Sequence, residues 1–156
     1  MNTVAVITKE ELLKHWLGHR NLTRRTIEKF PEAELFTYAV PGMRTFGELA
    51  NELISIAVPG LTGIVNRQVE AYAEANKYTS KAAILEVWDQ HTEELKHLWA
   101  QLKEENFHET FNLFGQYEFP VIENILYFID NEIHHRAQGY VYLRSLGIEP
   151  PFFWER

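Results

Sequence analysis

From Leu12 the apolar positions recur at the spacing of one helix face: Leu12, Leu13, Trp16 and Leu17, then Ile27 and Phe30. Ahead of them, Thr8-Lys9-Glu10-Glu11 has the form of a capping box, in which hydroxyl and carboxylate satisfy free amide hydrogens at a helix start. The pattern predicts a first helix over Lys9 to Lys29, stopped by Pro31. Phe36-Thr37-Tyr38-Ala39-Val40, followed by Pro41-Gly42, reads as a short extended stretch and a turn. Thr45-Phe46-Gly47-Glu48 is a second capping box and opens a second helix running to Asn76, with a bend or break expected at Pro59-Gly60. Ser80 can cap a third helix whose stripe of Ile84, Leu85, Trp88, His91, Leu95, Leu98, Trp99 and Leu102 ends near Glu105. Phe107 to Phe119 suggests a loop or small hairpin around Gly115. Pro120 suits the first turn of a fourth helix, with Ile122, Ile125, Leu126 and Ile129 inward and Gly147 at its end. Two prolines extend the tail from Ile148 to Trp154, whose aromatics are expected to pack on the bundle or on a second subunit.

Four amphipathic helices with long connections predict an all-α four-helix bundle, a standard way of burying such faces. At 156 residues the chain is expected to form one domain, 1–156. Hydrophobic residues at 46% and aromatics at 13% argue for a packed core over disorder. The N-terminus lacks the basic start, apolar run and cleavage site of a leader, so a cytoplasmic protein is expected, neither secreted nor membrane-spanning. Zero cysteines remove disulfides and thiolate chemistry, leaving any metal to His, Asp, Glu or amide oxygen. A net charge of -7 without a basic block disfavours nucleic acid. Small molecules or protein partners remain.

Candidate chemistry centres on Asn131-Glu132-Ile133-His134-His135-Arg136. Asn131 and His135 are one helical turn apart, and the same face carries Phe128, Gln138 and Tyr142. Such a mixed stripe suits a cleft, and bundles build metal sites from i, i+4 pairs with further ligands from a facing helix. Phe128, Tyr142, Tyr127, Tyr140 and Trp16 read first as core packing; if the cleft holds a ligand, Tyr142, Gln138 and Phe128 are the candidates to touch it. His134 is expected on the surface, Glu93, Glu94, Glu104 and Glu105 form a solvated face, and His15 and His19 flank a basic segment and read as solvated. No GxSxG elbow and no glycine-rich phosphate loop is present.

The run NEIHHRAQGYVYLRSLG from Asn131, with TFGELANEL from Thr45 and the capped opening helix, resembles the DinB/YfiT-like superfamily of bacterial metal-dependent proteins, over nearly the whole chain. Its last helix typically carries HxxxHR/K, then Gly or Gln, then a tyrosine-leucine-arginine stretch ending in Gly; His135-Arg136, Gln138, Tyr142-Leu143-Arg144 and Gly147 match. The resemblance implies three imidazoles on one divalent metal, the third supplied early in the second helix. Here Asn131 stands at the first histidine position, Glu52 at the second-helix position, and His135 alone is retained.

That comparison implies a metal-dependent hydrolase or a transferase joining a low-molecular-weight thiol to an electrophile, in a homodimer, with nickel, zinc or manganese as the metal. Two arrangements stay open. Glu52, Asn131 and His135 converge on a loosely held metal, or the centre is metal-free and Glu52 hydrogen-bonds His135. The second is favoured, because an amide is a poor ligand for borderline metals. The corresponding non-catalytic role is a small-ligand-binding or stress-associated interaction bundle.

Overall fold

The structure, a computed structural model, describes residues 4–73 and 76–156. The expected reading of Met1 to Thr3 falls outside them. Four long helices dominate: α1 (Lys9–Lys29), α3 (Phe46–Asn66), α4 (Lys81–Gln101) and α5 (Val121–Ser145), with a short α2 (Glu32–Thr37) between the first two. Both capping boxes form. Glu11 N–H donates to Thr8 Oγ1 at 3.1 Å while Thr8 N–H donates to Glu11 Oε2 at 2.8 Å, and Thr45 with Glu48 repeats the pair at 3.2 and 2.8 Å. Ser80 caps α4 through Ala83 N–H at 3.1 Å.

α1 packs against α4 and α5, α3 packs against the same two, and α1 and α3 stand across the diagonal. A 3-10 turn (Glu104–His108) and an antiparallel hairpin, β1 (Thr110–Leu113) with β2 (Tyr117–Pro120), carry the chain between α4 and α5. The hairpin turns at Phe114 and Gly115, both with positive φ.

Several boundaries differ from the sequence pattern. Of the stretch expected to be extended, Phe36 and Thr37 end α2, whose Leu35 is buried against the bundle, while Tyr38 is extended and Pro41-Gly42 form the expected turn, closed by Met43 N–H on the Val40 carbonyl at 3.0 Å. Pro59 does not break α3, which continues to Asn66; one lost hydrogen bond is outweighed by burial of Val58, Gly60 and Leu61 around it. The helix ends ten residues short of Asn76 because Arg67 turns left-handed (φ 55°), with Gln68 N–H closing on the Gly63 carbonyl at 2.9 Å. α4 ends at Gln101, where Leu102 turns extended, and not near Glu105. α3 is apolar and long enough to pass for a membrane span; 61% of that stretch is buried inside the bundle. Phe152, Phe153 and Trp154 stay exposed on this single chain, Phe152 stacked on Trp154 and Phe153 edge-on to it.

The interior is two apolar clusters with a polar belt between them. One holds Trp16, Leu61, Trp99 and Phe128; the other holds Phe30, Phe46, Trp88 and Tyr142. Each long helix crosses from one cluster to the other and carries its polar inward residues midway: His19, Arg20 and Thr23 on α1, Glu52 and Ser55 on α3, His91 and Thr92 on α4, and Glu132, His135 and Arg136 on α5. Glycines let the aromatics seat closely. A Cβ at Gly60 would stand 2.6 Å from Phe128 Cζ, and one at Gly139 would stand 2.5 Å from Phe46 Cε2.

Those distances separate helix propensity from packing. Alanine is worth up to about 1 kcal/mol over glycine inside a helix, whereas overpacking a closed core costs about 1–3 kcal/mol. In urea unfolding Gly139→Ala is therefore expected to destabilise the protein more than Gly18→Ala, whose Cβ would stand 2.9 Å from the Cβ of Arg156, the last residue of the chain, and not against a packed ring. Equal effects at both positions would remove the glycine seat from the account.

Candidate functional site

The belt has two sides, both built on the middle of α5. On the α1 side, Thr23 Oγ1 donates to Glu132 Oε1 at 2.6 Å and accepts from Arg136 Nη1 at 3.0 Å, linking a buried acid to a buried guanidinium through one hydroxyl. Arg136 Nη1 also reaches the His19 carbonyl at 3.1 Å, and its Nη2 donates to His19 Nδ1 at 2.9 Å. Arg20 lies over the Trp88 ring, 4.1 Å from its centroid, and donates to Thr92 Oγ1 at 2.9 Å and to the Trp88 carbonyl at 3.1 Å. Trp88 Nε1 returns a hydrogen bond to the Arg20 carbonyl. Burial pushes the Glu132 carboxyl upward, while Arg20, Thr23 and Arg136 pull it back.

His19 is therefore not the solvated residue that its spacing from His15 suggested. It is 3% exposed, and its Nε2 lies 3.2 Å from His15 Nε2 and 3.0 Å from Arg156 Nη1. Burial, then the charges of Arg136 and Arg156, hold its pKa down to about 3. Arg136 and Arg156 can only donate and face opposite ring nitrogens, so the ring is held neutral and accepts from one of the two guanidinium groups. His134, as expected, is exposed.

On the α3 side the structure brings Glu52 and His135 together. His135 Nε2 stands 2.9 Å from Glu52 Oε1, and the other carboxylate oxygen pairs with Arg44 Nη1 at 2.5 Å. His135 Nδ1 meets Gln138 Oε1 at 2.9 Å. With the amide in this orientation both ring nitrogens face oxygen, an arrangement that favours a ring protonated on both. Burial opposes that charge, but the hydrogen bonds to Glu52 and Gln138 outweigh it and raise the His135 pKa. The hydrogen bond from His135, foremost, carries the Glu52 pKa down to about 2, with Arg44 adding to it against burial. A line of alternating charge, His135–Glu52–Arg44, runs from the half-buried seam to the surface.

Asn131 lies one turn before His135 with its Nδ2 buried and without a hydrogen-bond partner. Phe128 and Tyr142, on the same face, are packed at 1% and 0% exposure; Phe128 stacks on Trp16, and the Tyr142 hydroxyl donates to the Arg44 carbonyl at 2.8 Å. Gln138 reaches the site through His135.

As a metal centre the donor set is a poor fit. Both Glu52 oxygens and both His135 nitrogens are engaged, Arg44 sets a fixed positive charge on the carboxylate, and an amide N–H cannot ligate. Among the described residues no group of three His, Asp or Glu side chains is placed to hold an ion. Sequence reasoning missed Arg44, which precedes its helix and so has no periodic signal. It placed Glu132 and Arg136 in the central run but gave Glu132 no role, although the two form an i, i+4 pair of opposite charge.

His19 gives this site a pH signature. Its folded-state pKa lies below the unfolded value, so between pH 3 and 6.5 the unfolded chain binds a proton that the native state does not. The contribution is complete above pH 6.5 and is lost as pH falls. In urea titrations at successive pH values His19→Asn, which keeps an acceptor for Arg136, is expected to flatten the acid-side slope by up to about 1.4 kcal/mol per pH unit. Identical slopes for the two proteins between pH 6.5 and 4 would contradict a neutral buried ring.

Comparison with known proteins agrees with this architecture. The chain resembles the crystal structure of a DinB-like protein from Bacillus cereus ATCC 10987, with 19% identity, a TM-score of 0.72, and 92% of this chain and 95% of the other covered. It resembles equally the DinB-like protein YjoA from Bacillus subtilis, with 21% identity, a TM-score of 0.72, and coverage of 94% and 99%. At these identities the likeness concerns the fold. No curated protein matches. The DinB family model matches residues 1–155, and the chain belongs to the DinB family.

Proposed function

We propose that this protein is a DinB-family bundle that binds a small molecule without a transition metal at Glu52, Asn131 and His135. The observation that carries this reading is the His135–Glu52–Arg44 line. Where the resemblance implies lone pairs converging on a cation, this chain presents a carboxylate neutralised by an imidazolium on one oxygen and a guanidinium on the other. A dication entering there would have to displace a proton from His135 and compete with Arg44 for Glu52, with only an amide oxygen added from Asn131. The metal-dependent hydrolase or thiol-transferase chemistry implied by the resemblance has no support in that arrangement.

The residues carry a different chemistry. Gln138 and Glu52 fix the His135 ring from both sides, Arg44 brings positive charge to the surface end, and the buried Asn131 amide keeps a hydrogen to donate. These are hydrogen-bond donors held in place by packed neighbours, suited to orienting a polar ligand.

Elemental analysis tests the reading. Untagged protein equilibrated in turn with nickel, zinc and manganese, then desalted, is expected to retain none of them stoichiometrically, while the double variant Glu52→His with Asn131→His gains metal through three imidazoles. One equivalent of metal on the unaltered protein would overturn the proposal. A metal-free double variant would show that the three positions do not converge.

A further inference from the structure

The polar belt also reaches the surface between α3 and α4. There the described parts of the connection from α3 to α4, residues 67–73 and 76–80, are tied down at two points. The Asn51 amide pairs with both backbone groups of Tyr78, its Nδ2 donating to the carbonyl at 3.0 Å and its Oδ1 accepting the N–H at 3.1 Å. Nearer the hairpin, the Tyr72 hydroxyl lies 3.4 Å from Ser55 Oγ and its ring packs on Phe114, 5.4 Å between centroids. Between these ties is a cavity of about 320 Å³, at the small end of the range for ligand pockets.

Its lining is unsatisfied in a specific way. Pro59 has no N–H to offer the Ser55 carbonyl four residues earlier, and both residues line the cavity. The Ser55 hydroxyl is spent as a donor on the Glu52 carbonyl at 2.8 Å, so toward the cavity it can only accept. His91 is half-buried and has no hydrogen-bond partner among the described residues; burial, and then the charge of Arg20, hold its pKa down to about 4, so the ring is neutral. Glu70 and Lys77 add one charge of each sign from the exposed connection, and neither is ion-paired among the described residues. Ile54, Pro59 and Phe114 supply an apolar wall.

We propose that this cavity binds a free α-amino acid with an apolar side chain. The acceptors, Glu70 and the Ser55 carbonyl, take the ammonium group; Lys77 takes the carboxylate; the side chain lies on Ile54, Pro59 and Phe114. A ligand with only one charge would engage Glu70 or Lys77 but not both, and a large one would exceed the volume. The site stands on residues other than Glu52 and His135 and holds whatever those two engage.

Calorimetric titration of the intact protein with L-phenylalanine, L-leucine, phenethylamine and 3-phenylpropionate tests this. Saturable binding of at least one of the two amino acids is expected, with both single-charge analogues at least about tenfold weaker, a difference of about 1.4 kcal/mol. Glu70→Gln is expected to remove the preference for L-phenylalanine over 3-phenylpropionate, and Lys77→Gln its preference over phenethylamine. Both positions are exposed, so neither variant threatens the fold. Absence of saturable binding by both amino acids, or binding that is unchanged in both variants, would overturn the proposal.

Discussion

The hydroxyl of Thr23, set between the Glu132 carboxyl and the Arg136 guanidinium, is the contact on which the rest of this bundle depends. Two arginines and an acid lie buried where α1, α4 and α5 meet, and such groups are tolerated only if each is hydrogen-bonded and opposed by charge. That condition fixes the rotation of α5 against α1. Turned by one residue, α5 would leave Arg136 without His19 and Thr23, and Glu132 without its hydroxyl. Stripping one partner from a buried charge costs about 3–5 kcal/mol, a large part of the stability of a domain this size.

Fixing α5 on that side also sets what it presents on the other. His135 and its neighbour Arg136 are about 100° apart around the helix, so with Arg136 turned toward α1, His135 meets Glu52 on α3. The apolar clusters above and below hold the level of this contact, with Phe46 in its seat against Gly139 and Phe128 against Gly60. Charge is thereby confined to one belt, and its exits are the seams beside Arg44 and around His91. Glu52 keeps its contact with His135 on one carboxylate oxygen while Arg44 brings positive charge to the other.

Much of this was legible in the sequence, where local chemistry decides. Thr8 with Glu11 and Thr45 with Glu48 announced two helix starts, and the hydrogen bond between Glu52 and His135 was one of two arrangements that the family pattern left open. The rest depends on partners far along the chain. His15 and His19 beside Arg20, Arg24 and Arg25 look like a wet face, and only Arg136, 117 residues away, shows His19 to be interior. The end of α3 at Arg67 gave no glycine to announce it, since an arginine takes the left-handed position there. Pro59 argued for a break that the burial of α3 overrode, and Ser55, whose carbonyl loses that donor, lines a cavity that no periodicity could mark.

The charge state of one ring tests the account most directly. Nitrogen NMR of the His135 side chain in metal-free protein near neutral pH should find both ring nitrogens protonated, and Glu52→Gln should return the ring to a single tautomer. A neutral His135 in the unaltered protein, with Nε2 bare, would mean that the nitrogen facing Glu52 is free to bind a metal, and would contradict the charge line from His135 through Glu52 to Arg44.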